Sequence, residues 1–239
     1  MRDRPQDGSR DVGGNPRSRH VFDRLWHALG VQLRHPSGAL GSLLGWLMAF
    51  GNDKPNNLSI DALGLAPTDQ VLELGFGPGW ALRTIAARVP GGGVFGVDQS
   101  DRMLRQATCM NQAAIDGGRV SLVKGPFSPL PWTDSTFDKI LLANVAYFFD
   151  ASGRDMAEVY RVLKPGGRVA IYVTSRETMC KWPFASPETH RTYNREELFN
   201  VLRAAGFHPA CINVKPLALP LGIRGLLATA DKVALRVCR

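Results

Sequence analysis

The stretch Val71-Leu72-Glu73-Leu74-Gly75-Phe76-Gly77-Pro78-Gly79-Trp80 constrains this chain more than any other. An apolar run with an acid at its third place enters a glycine-rich turn, and Ala81 to Val89 beyond it can form a helix. Strand, tight turn and helix in quick succession make the opening unit of a doubly wound α/β sheet. The glycines at 75, 77 and 79 have a physical reason. A chain that reverses from strand to helix within a few residues needs positive φ somewhere, and a ligand lying against the backbone tolerates no Cβ in its way.

Free N–H groups at such a helix start favour polar or anionic ligand groups, which by itself would suit a dinucleotide pyrophosphate. Two details point elsewhere. A G-x-G-x-x-G fingerprint would put its third glycine at position 80, which is Trp80, whereas the spacing here is G-x-G-x-G. Glu73 stands two residues before the first glycine and is aimed at the same crevice, where a carboxylate repels a pyrophosphate but accepts a hydrogen bond from an ammonium group. A nicotinamide oxidoreductase is disfavoured on both counts.

Asp98 is the second anchor. It ends the run Val94-Phe95-Gly96-Val97-Asp98, where a Rossmann-like site places an acid for ribose hydroxyls. The competing reading is a cap for the helix that follows, which Ser100 is also able to start.

The glycine turn resembles motif I of the class I S-adenosylmethionine-dependent methyltransferases. The segment from Gly96 to Leu104 resembles the G-x-D-x-S-x-x-M-L signature of their small-molecule branch, the type 11 methyltransferases that include the ubiquinone and menaquinone C-methyltransferases. The resemblance runs in order from about Val71 to about Phe207. It implies a Rossmann-like, doubly wound α/β fold: seven strands, mostly parallel, the seventh inserted antiparallel, helices on both faces and an N-terminal helical lid. It implies S-adenosyl-L-methionine as cofactor, with Glu73, Gly75, Phe76, Gly77, Gly79 and Asp98 in its groove and Gln99 and Met103 flanking the adenine. Where the family often reads Gly-Asp-Ala, this chain reads Gly125-Pro126-Phe127. Pro126 replaces the acid, so the adenine contact passes to a backbone carbonyl or another side chain, and Phe127 offers its ring or its N–H.

Asn144 resembles family residues that line the methyl-transfer site. Tyr147, in the same segment, is a candidate for substrate contact or for aromatic packing under the lid. By the same resemblance His190 and Tyr193 border the acceptor pocket, and Asn144, Tyr147 and His190 are the candidates for a catalytic role. Arg161 to Arg168 resembles the family's structural turn after the fourth helix.

Composition narrows the partners. The chain has 239 residues and a formal charge of +8, but residues 61–175 hold 11 basic and 11 acidic side chains, so the excess lies in the flanks. A nucleic-acid enzyme would carry a dense basic face with interleaved aromatics. A small-molecule acceptor is therefore expected, with an RNA or protein methyltransferase, or a silent binding protein of the same fold, as alternatives. Four cysteines without C-x-x-C spacing read as reduced thiols in a cytoplasmic protein, and no histidine grouping suggests a metal. Residues 1–20 read as a disordered tail without a signal peptide, 21–66 as the helical extension and 67–239 as the cofactor-binding domain. Ala39 to Phe50 is too short to span a bilayer, which takes about 20 residues. The leucine-rich stripe there suits a lid, packing on the domain, or a homodimer contact.

Further on, a helix is expected around Asn57 to Leu63 and strands over Arg119 to Lys124 and Phe137 to Leu142. Ser152 and Asp155 suggest a capping box for a helix that stops on Lys164-Pro165-Gly166-Gly167. Arg168 to Thr174 reads as the fifth strand, Arg195 to Ala205 as a helix, and Phe207 to Val214 with Leu226 to Ala230 as the last strand pair.

Overall fold

The computed structural model describes residues 54–182, 185 and 190–234. The expected tail, the helices before residue 54 and the lid or dimer contact assigned to them lie outside the described residues.

A seven-stranded sheet forms the centre: β1 (Gln70–Leu74), β2 (Gly93–Asp98), β3 (Val120–Lys124), β4 (Phe137–Ala143), β5 (Leu163–Thr174), β6 (Ile212–Ala218) and β7 (Arg224–Asp231). Their order is β3-β2-β1-β4-β5-β7-β6. The first five are parallel, and β7 enters antiparallel between β5 and β6, as the resemblance implied. The helices are α1 (54–63), α2 (Trp80–Arg88), α3 (Asp101–Asp116), α4 (Arg154–Val162), α5 (Arg176–Met179) and α6 (Arg195–Ala204).

Alternation of side chains sorts the apolar residues of β1, β4 and β5 into two layers. Leu72, Leu74, Ile140, Leu142, Ile171 and Val173 pack with Met156 and Val159 of α4 and Leu198 and Leu202 of α6. Val71, Leu141 and Ala170 pack with Ile60 of α1, Leu82 and Ile85 of α2 and Ala107 of α3. Burial on both faces explains why these strands are nearly all apolar. Strand order reverses between β1 and β4, so the connections after them diverge and open a crevice at the carboxyl ends of the strands.

Two expectations about chain ends are corrected. No capping box opens α4: its N-cap is Gly153 at φ +80, and the Asp155 carboxylate accepts instead from the Asp150 N–H at 2.8 Å. Nor does the helix stop on the Pro-Gly-Gly turn, because it passes into β5 at Leu163. Gly166, at φ +83, lies where the β4–β5 register slips between Leu163 and Arg168, so its left-handed backbone serves a strand irregularity and not a helix cap. A complete capping box stands at α6 instead. The Asn194 side chain accepts from the Glu197 N–H at 2.8 Å and Glu197 accepts from the Asn194 N–H at 2.9 Å.

Among the described residues no helix is long and apolar enough to cross a membrane, and no three His, Cys, Asp or Glu side chains gather as metal ligands would.

Candidate active site

The three glycines of the first turn do different work. Gly75, at φ +66, donates its N–H to the Val97 carbonyl at 2.7 Å, and a Cβ on it would lie 2.4 Å from Val145 Cγ2. Gly79, at φ +92, precedes α2, and its Cβ would lie 2.7 Å from Asn111 Nδ2 and 2.9 Å from Ala107 Cβ on α3. Both are glycine because the protein packs against them. Gly77, at φ +51, differs: among the described residues a Cβ there would meet nothing within 4 Å. The middle of the turn is therefore the one glycine of the three against which no described residue packs.

Asn111 was missed by the sequence reading. Its Nδ2 donates to the Gly79 carbonyl at 3.2 Å and to Ala107 at 2.9 Å, holding α3 to the turn. A signal existed: Met103, Ala107 and Asn111 repeat every four residues, which puts a polar side chain on the buried stripe of α3.

Two acids flank the bare glycine. Glu73 sits in β1 between Gly96 of β2 and Leu141 of β4 and is 3% exposed. Its Oε2 is buried without a hydrogen-bond partner among the described residues. Burial, and then the charge of Asp98, hold its pKa well above the usual carboxylate range, against the opposing pull of the Leu82 backbone N–H. Asp98, at the tip of β2, accepts from the Gly77 N–H at 3.0 Å through Oδ2 and from the Ser100 N–H at 2.9 Å through Oδ1. Burial raises its pKa as well, outweighing the backbone N–H groups of Ser100, Gly77 and Gln99. Asp98 does not cap α3; Ser100 does, accepting from the Met103 N–H. A carboxylate offers about four lone-pair positions, so Asp98 retains acceptor capacity beside its backbone donors.

The other sequence candidates fall around this core. Phe76 is buried with its ring over Gly96, whose Cβ would lie 2.6 Å from Phe76 Cδ1, so Phe76 shows a ligand only its backbone. Met103 is buried in the layer of α2 and α3, and Gln99 is half-buried just beyond β2. Pro126 is exposed, while the Phe127 ring packs on Phe149 with centroids 5.7 Å apart.

The far side of the crevice, after β4, is aromatic. Asn144 adopts φ +56, unusual for a residue with a Cβ, and donates its N–H to the Tyr172 carbonyl at 2.9 Å. Tyr147 lies in a 3₁₀ turn over Ala146–Phe148. Its hydroxyl donates to Asn144 Oδ1 at 2.8 Å and accepts from the Thr174 N–H, linking the ends of β4 and β5. Burial pushes its pKa far up, and its hydroxyl is engaged within the fold on both sides. The segment around residue 190 folds onto the same turn. Arg191 donates its N–H to the Tyr147 carbonyl at 2.9 Å, and the Tyr193 hydroxyl donates to the Ala146 carbonyl at 2.8 Å. The buried His190 ring lies 5.2 Å from that of Phe148. Ser175, at the end of β5, was also missed; its buried Oγ has no partner, and no sequence pattern marks it.

Among known proteins, a family described as methyltransferase domain matches residues 72–171. A crystal structure of a SAM dependent methyltransferase from Aquifex aeolicus superposes with a TM-score of 0.59 at 24% identity, covering 73% of this chain and 89% of that one. The ubiquinone/menaquinone biosynthesis C-methyltransferase UbiE of Geotalea daltonii is 32% identical over 131 residues, 54% of this chain and 55% of its own length. The uncharacterized methyltransferase YdaC of Bacillus subtilis is 31% identical over 192 residues, 80% of this chain and 99% of its own length. A match that runs the whole length of a second methyltransferase exceeds a shared cofactor-binding fragment: the chain belongs to the class I S-adenosylmethionine-dependent methyltransferases.

Proposed function

We propose that this methyltransferase acts in the cytoplasm on a small, apolar or aromatic acceptor seated between the glycine turn and the aromatic segment after β4. One observation carries the acceptor class: Tyr147, Phe148, Phe149 and His190 form that segment, and the Tyr147 hydroxyl is engaged by Asn144 and Thr174, so the wall offers rings and few open polar atoms. The similarity to a quinone-pathway C-methyltransferase supports the same class.

The residues at the glycine turn fit the cofactor. Glu73 carries a buried acceptor with no partner among the described residues, Gly77 leaves room where a Cβ would stand, and Asp98 accepts at the tip of the next strand. In this reading Glu73 faces the ammonium end, Asp98 the ribose hydroxyls, Gln99 and Met103 the adenine, and Asn144 the transferring methyl. S-Adenosyl-L-methionine supplies an activated sulfonium methyl, so the protein contributes alignment and exclusion of water. Asn144 is held for that alignment by the Tyr147 hydroxyl. His190 lies on the same turn and is the nearest candidate for moving a proton from an oxygen acceptor.

Calorimetry with S-adenosylhomocysteine tests the groove. Asp98→Ala removes the acceptor for both ribose hydroxyls and is expected to cost roughly 2 to 4 kcal/mol of binding. An unchanged affinity would remove Asp98 from the site. Methyl transfer to quinols or phenols, but not to RNA or protein substrates, is the expected outcome for the acceptor; salt-sensitive activity on RNA alone would overturn it.

A further inference from the structure

The connection between β6 and β7 departs from the rule that turns are polar. From Pro216 to Ile223 the chain reads Pro-Leu-Ala-Leu-Pro-Leu-Gly-Ile, without one charged or hydrogen-bonding side chain, and it is bounded by Lys215 and Arg224. A run of exposed apolar residues works against a soluble fold unless it serves binding. Here Pro220, Leu221 and Gly222 are exposed at the tip, and Leu217, Leu219 and Ile223 are half-buried. Leu221 is 97% exposed and holds φ +60. Glycine or asparagine takes that left-handed backbone more readily than leucine, and the side chain recovers no packing in the fold.

The place of the tip matters. Gly225 of β7 stands opposite Thr174 of β5, Ser175 donates its N–H to the Arg224 carbonyl, and Arg224 donates its N–H to Thr178 Oγ1 at 3.0 Å. The apolar tip therefore projects from the edge of the sheet where β4 and β5 end, the edge that carries Asn144 and Tyr147. Basic groups surround its base. Besides Lys215 and Arg224, the exposed Lys181 donates its N–H to the Thr178 carbonyl, within a turn of the Arg224 contact. Arg224 pairs with Glu177 at 2.9 Å, but both side chains are about 70% exposed, so the pair is weak and opens readily to a competing phosphate. Residues 176–239 hold 10 basic and 5 acidic side chains.

We propose that this hairpin tip is a membrane-docking wedge for an anionic phospholipid bilayer. Leu219, Pro220 and Leu221 enter the boundary between headgroups and acyl chains, and Lys181, Lys215 and Arg224 meet the lipid phosphates around them. Docked in this way, the carboxyl edge of the sheet faces the lipid.

The full-length protein is to be sedimented with vesicles of phosphatidylcholine, alone or with about one third phosphatidylglycerol, a content that gives the surface a negative potential. The wild type is expected to partition several-fold more strongly to the anionic vesicles. Leu221→Asn, which suits the left-handed backbone, is expected to lower that partition about tenfold, with an equal or higher melting temperature and unchanged S-adenosylhomocysteine affinity. Lys215→Gln is expected to lower binding about fivefold, and only to the anionic vesicles. Any contribution from the apolar stretch Ala39 to Phe50 is common to all three proteins, so the difference between wild type and variant is the readout. Equal partition of wild type and Leu221→Asn would overturn the proposal, as would a wild type that binds neither vesicle. So would a Leu221→Asn variant that changes only the association state in sedimentation velocity, which would make the tip a contact with a second copy.

Discussion

The two sides of the crevice are built on opposite plans. After β1 and β2, among the described residues, Glu73 keeps a buried oxygen without a partner and a Cβ on Gly77 would meet nothing within 4 Å. After β4 and β5 the hydroxyls of Tyr147 and Tyr193 are spent on the fold itself, on Asn144, Thr174 and Ala146. In the proposed function a charged, hydroxyl-bearing cofactor answers the unmet acceptor of the first side. The second is an aromatic wall, in the proposed function the side against which the acceptor packs. Among the described residues each side keeps a buried oxygen without a partner, Glu73 Oε2 on the first and Ser175 Oγ on the second, but the first belongs to a carboxyl group, whose unmet hydrogen bonds cost more than a hydroxyl's.

The sharpest way to break this comparison is within the glycine turn. Gly75→Ala places a methyl 2.4 Å from Val145 Cγ2 and keeps a left-handed backbone, so it is expected to destabilise the protein by about 2 to 5 kcal/mol in denaturant titration. Gly77→Ala meets no atom within 4 Å and carries only the backbone cost, about 1 to 2 kcal/mol. It should nevertheless weaken S-adenosylhomocysteine more than tenfold. Equal losses of stability in the two variants would mean that Gly77 is packed like its neighbours and faces no ligand.

A smaller effect is expected on the aromatic side. Tyr147→Phe removes the donor to Asn144 Oδ1 and the acceptor for the Thr174 N–H, at a cost of about 1 to 3 kcal/mol of stability. Cofactor affinity should stay within about twofold while kcat falls, because the change lies across the crevice from the glycine turn. A variant that loses cofactor affinity and keeps kcat would merge the two sides into one.

The smallest change in stability, and one of opposite sign, belongs to Glu73→Gln. In the free protein the pKa of Glu73 is raised, so its contribution is fully present below the ordinary glutamate value of about 4.3 and is lost as pH rises through the higher folded value. The glutamine variant lacks that loss. Its melting temperature should equal or exceed that of wild type on the alkaline side of the transition, and the advantage should vanish on the acid side. Cofactor binding should be weaker at every pH where Glu73 is ionised in the complex. A wild-type affinity that does not fall on acidification would separate Glu73 from the cationic end of the ligand.

Much of this was legible in residue order because it depends on local chemistry. Three glycines in five residues demand positive φ, and all three have it. An acid at the end of the second strand must lie beside the turn that follows the first once the two strands pair in parallel, and Asp98 does. Asn111 had a signal in its four-residue spacing from Met103 and Ala107, whereas Ser175 escaped notice because a single polar residue at a strand end carries no pattern. The misplaced capping box has a similar cause: Ser152 and Asn194 each stand three residues before an acid, and only the backbone course shows which side chain turns inward.

What the chain determined alone was the glycine turn, its two acids and the alternation of strands and helices, since φ preference and apolar periodicity act over a few residues. What only the folded molecule decided was which glycine the described residues leave unpacked, that Tyr147 is locked between β4 and β5, and that residues 190–193 close on the Ala146–Phe148 turn. Those contacts join positions some twenty to fifty residues apart, and their geometry exists only after the sheet has set its strands in order.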